Sequence, residues 1–301
     1  MGVRTYVRGI PVKAKTIKRL QIAVAIPLAI LIFLFACAAF LLVASVTVDR
    51  DARVLPSYAR VDISAILEKE TWTDEDYNTV SYQTGIFSRE TIDKLSAREL
   101  LVFQDALFFK GELMHDDVAF TTPHDMLYDP ETKDTYTAPI VPLEAGDILV
   151  TSTCHTFGWR NGHAALVLGK EQLLQSFTLG SDSDTCSLNS NNGVPWFRKA
   201  TNFMVLRLKD ADAETRRAIA DKAEEELLDI PYSLVVGIFK KKDQGTAPKG
   251  TNCSHLVWQA YKNAGYDIDF DGGPVVTCRD IANSPHLEIV QIYGFDPVKG
   301  W

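Results

Sequence analysis

The segment TNCSHLVWQAYKNAG, residues 251–265, has the apolar spacing of a helix that begins at a cysteine. Four residues share a helical face with that cysteine: Val257, Ala260, Tyr261 and Ala264. Thr251 or Asn252 can cap the start of the helix, and Gly265 can end it. Cys253 then lies in the first turn, where the positive end of the helix dipole lowers the thiol pKa and makes a nucleophilic thiolate available. The alternative is that Cys253 is a small buried core residue.

A second segment, GHAALVLG at residues 162–169, has the pattern of a strand that opens with a histidine. The run QLLQSF follows it. If the chain turns at Gly169, His163 faces Gln175 directly across the hairpin, with the two side chains about 5 Å apart at Cβ. An amide oxygen in that place can set the tautomer and orientation of an imidazole. Each residue alone has an ordinary structural explanation, but together with Cys253 they fit a nucleophile, a general base and an orienting group.

The rest of the chain predicts an α+β class. Four short β-rich runs lie at residues 148–151, 163–168, 172–177 and 203–208, and helical patterns follow at 212–228 and 253–264. Before them, residues 49–141 are predicted as a helical arm, since Ser96 and Glu99 have the spacing of a capping box before apolar Leu100. Turn-forming prolines crowd the end of this arm, so the main domain is predicted to span residues 142–301.

The N-terminus has the features of a membrane anchor. Residues 20–48 carry no charge, which is enough helix to cross a hydrocarbon layer of about 30 Å. A cleaved signal peptide and a lipid-modified Cys37 are alternatives, but this apolar stretch is about twice as long as a signal h-region. The basic residues lie in residues 1–19, so the positive-inside rule predicts a cytoplasmic tail and places the chain from residue 49 outside the cell.

The charge balance argues against a nucleic-acid partner. Six of the 31 basic residues precede residue 49, which leaves 25 basic against 39 acidic residues in the rest of the chain. A domain with that excess of acid is repelled by phosphate backbones.

The cysteines argue against a structural metal, and no feature of the sequence calls for a cofactor. The five cysteines form no CxxC pair and no zinc-type spacing with histidine. In an oxidising exterior Cys154 and Cys186 can pair, which leaves Cys253 and Cys278 as candidate free thiols.

Two other histidines are alternative bases. His255 lies two residues after Cys253, so on a helix its side chain points about 200° away from the thiol. His155 lies in a predicted loop beside Cys154. His163 is therefore the predicted general base.

Together these segments resemble the NlpC-type cell-wall peptidases, which have a papain-like fold, in the circularly permuted order of the YiiX-like branch. The motifs that carry the resemblance are Gly146-Asp147-Ile148-Leu149, Gly162-His163 to Gly169, Leu174-Gln175-Ser176, Pro231-Tyr232 and Cys253-Ser254. The resemblance covers roughly residues 142–292, about half of the chain, and its specificity lies in the joint order and spacing of the motifs. The histidine precedes the cysteine, as in the permuted group.

The resemblance implies a cysteine peptidase or amidase that acts on peptidoglycan peptides. It implies catalytic roles for Cys253, His163 and Gln175, and a role for Tyr232 in lining the site or stabilising an oxyanion. Gln175 stands where many members have a histidine, and residues 240–250 form a Lys/Gly-rich insertion. Permuted relatives resembling lecithin:retinol acyltransferase use the same geometry on lipid acyl esters, and a non-catalytic envelope scaffold is a further alternative.

The predicted topology is directly testable. Protease added to intact cells should remove the chain from residue 49 onward and leave a short protected fragment, because the predicted cytoplasmic tail and residues 20–48 are shielded by the membrane. The fragment is measured with an antibody against an N-terminal tag. Protection of the entire chain would contradict the predicted orientation.

Overall fold

The N-terminal region is a long apolar helix. The computed structural model describes residues 5–7, 10–12, 14–48, 53–115, 121–156, 160–177, 180–188 and 196–301, so the first four residues of the predicted arm, 49–52, lie outside it. A small hairpin, β1 (Thr5–Val7) and β2 (Ile10–Val12), precedes helix α1 (Ala14–Val48). Within α1, the stretch Gln21–Leu41 is long and apolar enough to cross a membrane, a property that membrane spans share with signal sequences.

The segment after α1 contains both helices and strands. Its elements are α2 (Ser64–Leu67), α3 (Asp74–Thr84), α4 (Arg89–Lys94), α5 (Ala97–Phe108), β3 (Glu112–His115), β4 (Thr121–Asp129) and β5 (Asp134–Thr135). The predicted capping box is confirmed at the start of α5, where the Ser96 hydroxyl accepts from the Glu99 N–H and the Glu99 carboxylate accepts from the Ser96 N–H. Strands β3, β4 and β5 pair in that order, and β7 (Cys154–Thr156) pairs with β4.

The central sheet has six strands in the order β10-β9-β8-β6-β11-β12, and neighbouring strands are antiparallel. Their bounds are β6 (Ile148–Thr151), β8 (His163–Gly169), β9 (Gln172–Gln175), β10 (Asp184–Ser187), β11 (Phe203–Leu208) and β12 (Leu287–Tyr293). The four β-rich runs of the sequence correspond to β6, β8, β9 and β11, which confirms a mixed α+β fold. The edge strands β10 and β12 were not predicted.

Helices cover both faces of this sheet. The remaining helices are α6 (Trp196–Lys199), α7 (Ala213–Glu226), α8 (Cys253–Asn263) and α9 (Cys278–Ala282). On one face, Ala164 and Leu166 of β8 share a core with α7, α8 and α9. On the other face, Ala165 and Val167 share a core with residues from α3 and α5. Burial on both faces explains why the sequence of β8 is apolar throughout instead of alternating between apolar and polar residues.

A buried ion pair joins the entry of β6 to the neighbouring strand β11. Asp147, which directly precedes β6, is fully buried and accepts two hydrogen bonds from Arg207 of β11, at 2.7 and 2.8 Å. It also accepts from the backbone N–H of Glu144 at 2.8 Å. The aspartate of the Gly-Asp motif therefore has a structural role in this fold, because it neutralises a buried guanidinium at the entry to β6.

Removal of this carboxylate should destabilise the domain strongly. Asp147→Ala removes the two close hydrogen bonds of buried Arg207 and leaves it only the Glu144 carboxylate, at 3.4 Å. Breaking a buried ion pair typically costs about 3–5 kcal/mol of unfolding free energy, and the remaining contact should keep the loss near the lower end of that range. The exposed pair of Arg217 and Asp221, at 3.9 Å, provides a matched control, and Asp221→Ala should cost less than about 1 kcal/mol. Urea unfolding of the full chain in detergent micelles measures both. Equal losses in the two variants would contradict the structural assignment.

Candidate active site

The nucleophile candidate is the first residue of α8. Asn252 caps this helix, and its side-chain oxygen accepts from the backbone N–H of His255 at 3.0 Å. Of the two capping residues that the sequence allows, Asn252 is thus the one used. Cys253 is 7% exposed and packs in the core between α8 and the sheet. It lies in the first turn of the helix, as the helical pattern predicts.

His163 is the first residue of β8, at the end of the sheet. Its Nε2 lies 2.9 Å from Oε1 of Gln175, so the amide oxygen accepts a proton carried on Nε2. The ring stacks on Phe197 at a centroid distance of 6.0 Å and meets the edge of Phe177 at 5.9 Å. These contacts hold the imidazole in one plane and one tautomer, which assigns proton exchange with the thiol to Nδ1.

The predicted hairpin register is wrong by two residues. The observed pairs are Leu166 with Leu174, Val167 with Leu173 and Gly169 with Gln172, with a bulge after Val167. The turn residues are Lys170 and Glu171, both at positive φ, as a two-residue type I′ turn requires, whereas the prediction centred the turn on Gly169. A shift of two residues keeps a side chain on the same face of the sheet, so Gln175 still reaches His163 diagonally.

The surroundings of Cys253 stabilise its thiolate. The hydrogen bond from the Cys278 thiol is the largest influence that lowers the pKa of Cys253 well below its usual value. The imidazole of His163, through a hydrogen bond and its charge, and the backbone N–H of Ala164 lower this pKa further. Burial acts in the opposite direction and is outweighed. A thiol with a lowered pKa, an imidazole beside it and an amide that holds the imidazole therefore occur together.

Cys278 is a site residue that the sequence analysis did not identify as one. It is the first residue of α9, whose start is fixed by a capping box between Thr277 and Asp280. The hydrogen bond to Cys253 and burial raise the pKa of Cys278 well above its usual value, so this residue remains a thiol and a donor. The TCRD spacing of the capping box was a sequence signal for the helix start. No sequence signal indicated the contact between the two thiols.

Gly162 makes room for this second thiol. A side chain there would place Cβ at 2.5 Å from the carbonyl oxygen of Thr151 and at 3.2 Å from Cβ of Cys278. Its φ of +69° also favours glycine. The glycine that precedes the histidine in the Gly-His motif is therefore required by close packing at this end of the sheet.

The possible pairing of Cys154 with Cys186 is not present in the structure, where both are free cysteines. Cys186 lies on the edge strand β10, whereas Cys154 lies on β7, which pairs with β4. Burial and the neighbouring Cys253 raise the pKa of Cys154 well above its usual value. Cys253 and Cys278 are free cysteines, as predicted.

Tyr232 lines the same pocket as Cys253. Burial, followed by the charge of Cys253, raises the pKa of the Tyr232 phenol, so its hydroxyl keeps its proton and can donate. The pocket is a small cleft with a volume of about 70 Å³. Its walls are Asn161, Tyr232, Leu234, Ile238, Asn252, Cys253, Ser254, Val275, Val276 and Thr277. A cleft of this size admits a narrow group, such as a single acyl carbon and its substituents, to the sulfur.

The alternative base His255 has other partners. Its Nδ1 lies 2.9 Å from the Thr251 hydroxyl, and its Nε2 lies 2.9 Å from the carbonyl oxygen of Lys242. A carbonyl accepts only, so Nε2 carries the proton and donates. Burial lowers the pKa of His255, which favours the neutral ring. The backbone of His155 lies in β7, and its side chain is outside the described residues.

One acidic cluster has the spacing of a cation site among the described residues. Oxygen atoms of Asp269, Asp271 and Asp280 lie within 4.8 Å of one another. The ammonium of Lys242 already contacts the Asp269 carboxylate and lies 2.6 Å from the carbonyl oxygen of Gly273. This lysine supplies the positive charge that the buried carboxylate needs.

Comparisons with known proteins add little to this geometry. No protein-family model matches the chain, and no curated protein matches it. Among solved structures, the chain is similar to the metalloprotein YiiX of Escherichia coli O157:H7, with 14% identity and a TM-score of 0.37. The match covers 50% of this chain and 97% of YiiX. At this level of similarity YiiX indicates nothing about activity here.

The thiol pair makes a testable prediction about reactivity. Cys278→Ala removes the donor to the Cys253 sulfur, so the pKa of Cys253 should rise and its alkylation by iodoacetamide should begin at higher pH. Mass spectrometry of the peptide that contains Cys253, over a pH series, measures this. Cys186→Ala is the matched control and should leave the profile unchanged. An unchanged profile in Cys278→Ala would show that this hydrogen bond does not stabilise the thiolate.

Proposed function

We propose that this chain is a cysteine hydrolase that transfers an acyl group to water through Cys253. The observation that supports this most directly is the line of groups from the thiolate through His163 to Gln175, with 2.9 Å between Nε2 and Oε1. Buried cysteines without a catalytic role have raised pKa values, as Cys154 does, whereas Cys253 has a lowered one. A lowered thiol pKa beside an oriented imidazole is the arrangement of an activated nucleophile.

The proposed reaction has two halves. The Cys253 thiolate attacks the substrate carbonyl carbon, and the π electrons of the carbonyl move onto its oxygen. The Tyr232 hydroxyl and the backbone N–H of Cys253 donate hydrogen bonds to this oxyanion. The carbonyl then re-forms, the bond to the leaving group breaks, and protonated His163 gives its Nδ1 proton to that group. A thioester remains on Cys253. Water attacks it while His163 takes a proton, the carbon–sulfur bond breaks, and the acid leaves with the thiolate restored.

The proposed fold and substrate come from the sequence resemblance. The Gly-Asp, Gly-His, Gln, Pro-Tyr and Cys-Ser motifs resemble the permuted, papain-like NlpC-type peptidases, whose substrates are peptidoglycan peptides. With the apolar helix retained as a single-pass anchor, the domain faces outward and meets such peptides at the cell membrane. The leaving group is then an amine, and the bond cleaved is a peptide amide.

A lipid acyl ester is the second candidate substrate. The observation that favours it is the composition of the pocket wall, where the exposed side chains of Leu234 and Ile238 stand beside Cys253. Apolar, exposed side chains at the mouth of a cleft suit an acyl chain better than a polar stem peptide. The same thiolate and imidazole chemistry applies, with an alkoxide in place of an amine as the leaving group.

Substitutions of the proposed active-site residues should lower the rate of hydrolysis to different extents. Cys253→Ala in the full chain should abolish hydrolysis of muropeptides, and His163→Ala should reduce it nearly as much. Gln175→Ala should lower kcat about 10- to 100-fold, since orientation is only part of the work of the base. Gln175→His should retain activity, because an imidazole can also orient His163. Product release is measured by chromatography.

His255→Gln is the matched control, since that ring is bonded to Thr251 and Lys242 instead of the thiol. It should retain activity. The same proteins are then assayed on acyl-ester micelles. Thiol-dependent cleavage of the ester with none of muropeptides would favour the lipid substrate. A wild-type protein inert on both, with a Cys253 that iodoacetamide does not reach, would contradict an enzymatic function.

A further inference from the structure

The chain enters the folded domain at the end of the sheet that holds the site. Cross-strand pairs place His163 opposite Thr151 and Phe203 opposite Tyr293, and β6 and β11 are themselves neighbours. These four residues therefore mark one end of the sheet. Arg53 is anchored there, because its guanidinium lies 4.4 Å from the centre of the Tyr293 ring and donates to the carbonyl oxygen of Thr201 at 3.0 Å. The next residue, Val54, donates to the carbonyl oxygen of Gly294 at 2.9 Å.

The connection from this end to the apolar helix is short. Only residues 49–52 separate Arg53 from Val48, the last residue of α1. Even fully extended, this connection reaches at most about 18 Å. Residues 42–48 continue the helix for about 10 Å beyond the candidate span, which ends at Leu41. With that span in a membrane, the end of the sheet that contains His163 is tethered within about 28 Å of it, which lets this end reach the lipid surface.

A strongly exposed apolar group stands at the mouth of the Cys253 pocket. Leu234 and Ile238, which line the pocket, are 48% and 60% exposed, and the adjacent Phe239 is 87% exposed. Of the large apolar side chains that the structure describes, Phe239 is the most exposed. The backbone N–H of Phe239 donates to the carbonyl oxygen of Val235 at 2.9 Å, so a closed turn presents the ring outward. We call Leu234, Ile238 and Phe239 the apolar rim.

Positive charge accompanies the apolar rim. Residues 234–249 contain four lysines and one aspartate, although acidic residues exceed basic ones in the chain after residue 49. Lys240 and Lys241 are exposed and directly follow Phe239. Exposed apolar side chains next to lysines are typical of surfaces that enter the interface of an anionic bilayer, since each lysine near the surface adds favourable electrostatic energy.

We propose that the apolar rim, with Lys240 and Lys241, docks on the lipid surface of the membrane that holds α1, so that the Cys253 pocket opens toward the lipid and takes its acyl substrate from there. The docking requires only that α1 is retained as the anchor proposed above. It does not require that Cys253 is active. The substrate part of the proposal rests on the acyl transfer proposed above, and it favours the second candidate substrate, an acyl compound embedded in or attached to the bilayer.

Photo-crosslinking in the full chain tests the docking. Phe239 is replaced by p-benzoylphenylalanine, an aromatic residue of similar shape at a fully accessible position. The chain is reconstituted into vesicles of phosphatidylglycerol and phosphatidylethanolamine and irradiated, and lipid adducts are counted by mass spectrometry. The matched control carries the same residue in place of Arg217, an exposed position on α7 beside Gly169, at the opposite end of β8. Adducts are expected at position 239 and not at position 217.

A charge variant and an inactive variant complete the test. Lys240→Glu with Lys241→Glu should lower the adducts at position 239 about tenfold, because two favourable charges become unfavourable ones. Adding Cys253→Ala should leave the adducts unchanged, so a failure of catalysis cannot be mistaken for a failure of docking. Equal lipid adducts at both positions, no lipid adducts at position 239, or protein adducts there in place of lipid would each overturn the proposal.

Discussion

Strand β8 is buried on both faces, and the rest of the domain is arranged around that constraint. Its alternate residues face two separate cores, one closed by α7, α8 and α9 and the other by the segment that follows the apolar helix. Because neither face of β8 can meet water, the helices on both sides must be present before the strand is stable. The first residue of the strand is His163, so the position of the imidazole depends on both cores.

The packing of α8 against β8 brings the thiol to that imidazole. Leu256 and Val257 are fully buried against the sheet, and the hydroxyl of Tyr261 donates to the carbonyl oxygen of Gly146. The Tyr261 contact holds the last part of α8 at the entry to β6, so the start of the helix lies toward the other end of the strands, where His163 is. Burial by itself would keep Cys253 a neutral thiol, as it does for Cys154. The donors around its sulfur, above all Cys278, make the buried thiolate favourable.

The short connection to the apolar helix limits how far the Cys253 pocket can lie from that helix. The short connection between α1 and Arg53 starts from the same end of the sheet that presents His163, the pocket and the apolar rim. A site at the opposite end, near the turn after Gly169, would be held away from the lipid by the length of the strands. In the proposed docking, the position at which the chain enters the domain keeps the pocket end of the sheet, and not the opposite end, at the lipid.

Local patterns in the sequence were enough to predict the main helices and strands and to select Cys253, His163 and Gln175 as a group. Periodicity identified the helix after Cys253, the strand after His163 and the apolar N-terminal helix, because each pattern reports which side chains must leave water. It also identified Gln175 as a neighbour of His163, although the register was wrong by two residues. The prediction succeeded in spite of this error because side chains in a strand alternate with a period of two.

Contacts between residues on distant elements could not be predicted from such patterns. Cys278 reaches the Cys253 sulfur from a helix 25 positions further along the chain, and no local pattern reports a contact between separate helices. The same holds for Asp147 with Arg207, and for Arg53 at the end of the sheet. Local periodicity follows from the burial of each element alone, whereas these contacts follow from how several elements pack together. For that reason the candidate nucleophile and the candidate base were visible in the sequence, while the second thiol beside Cys253 and the point at which the chain enters the sheet were not.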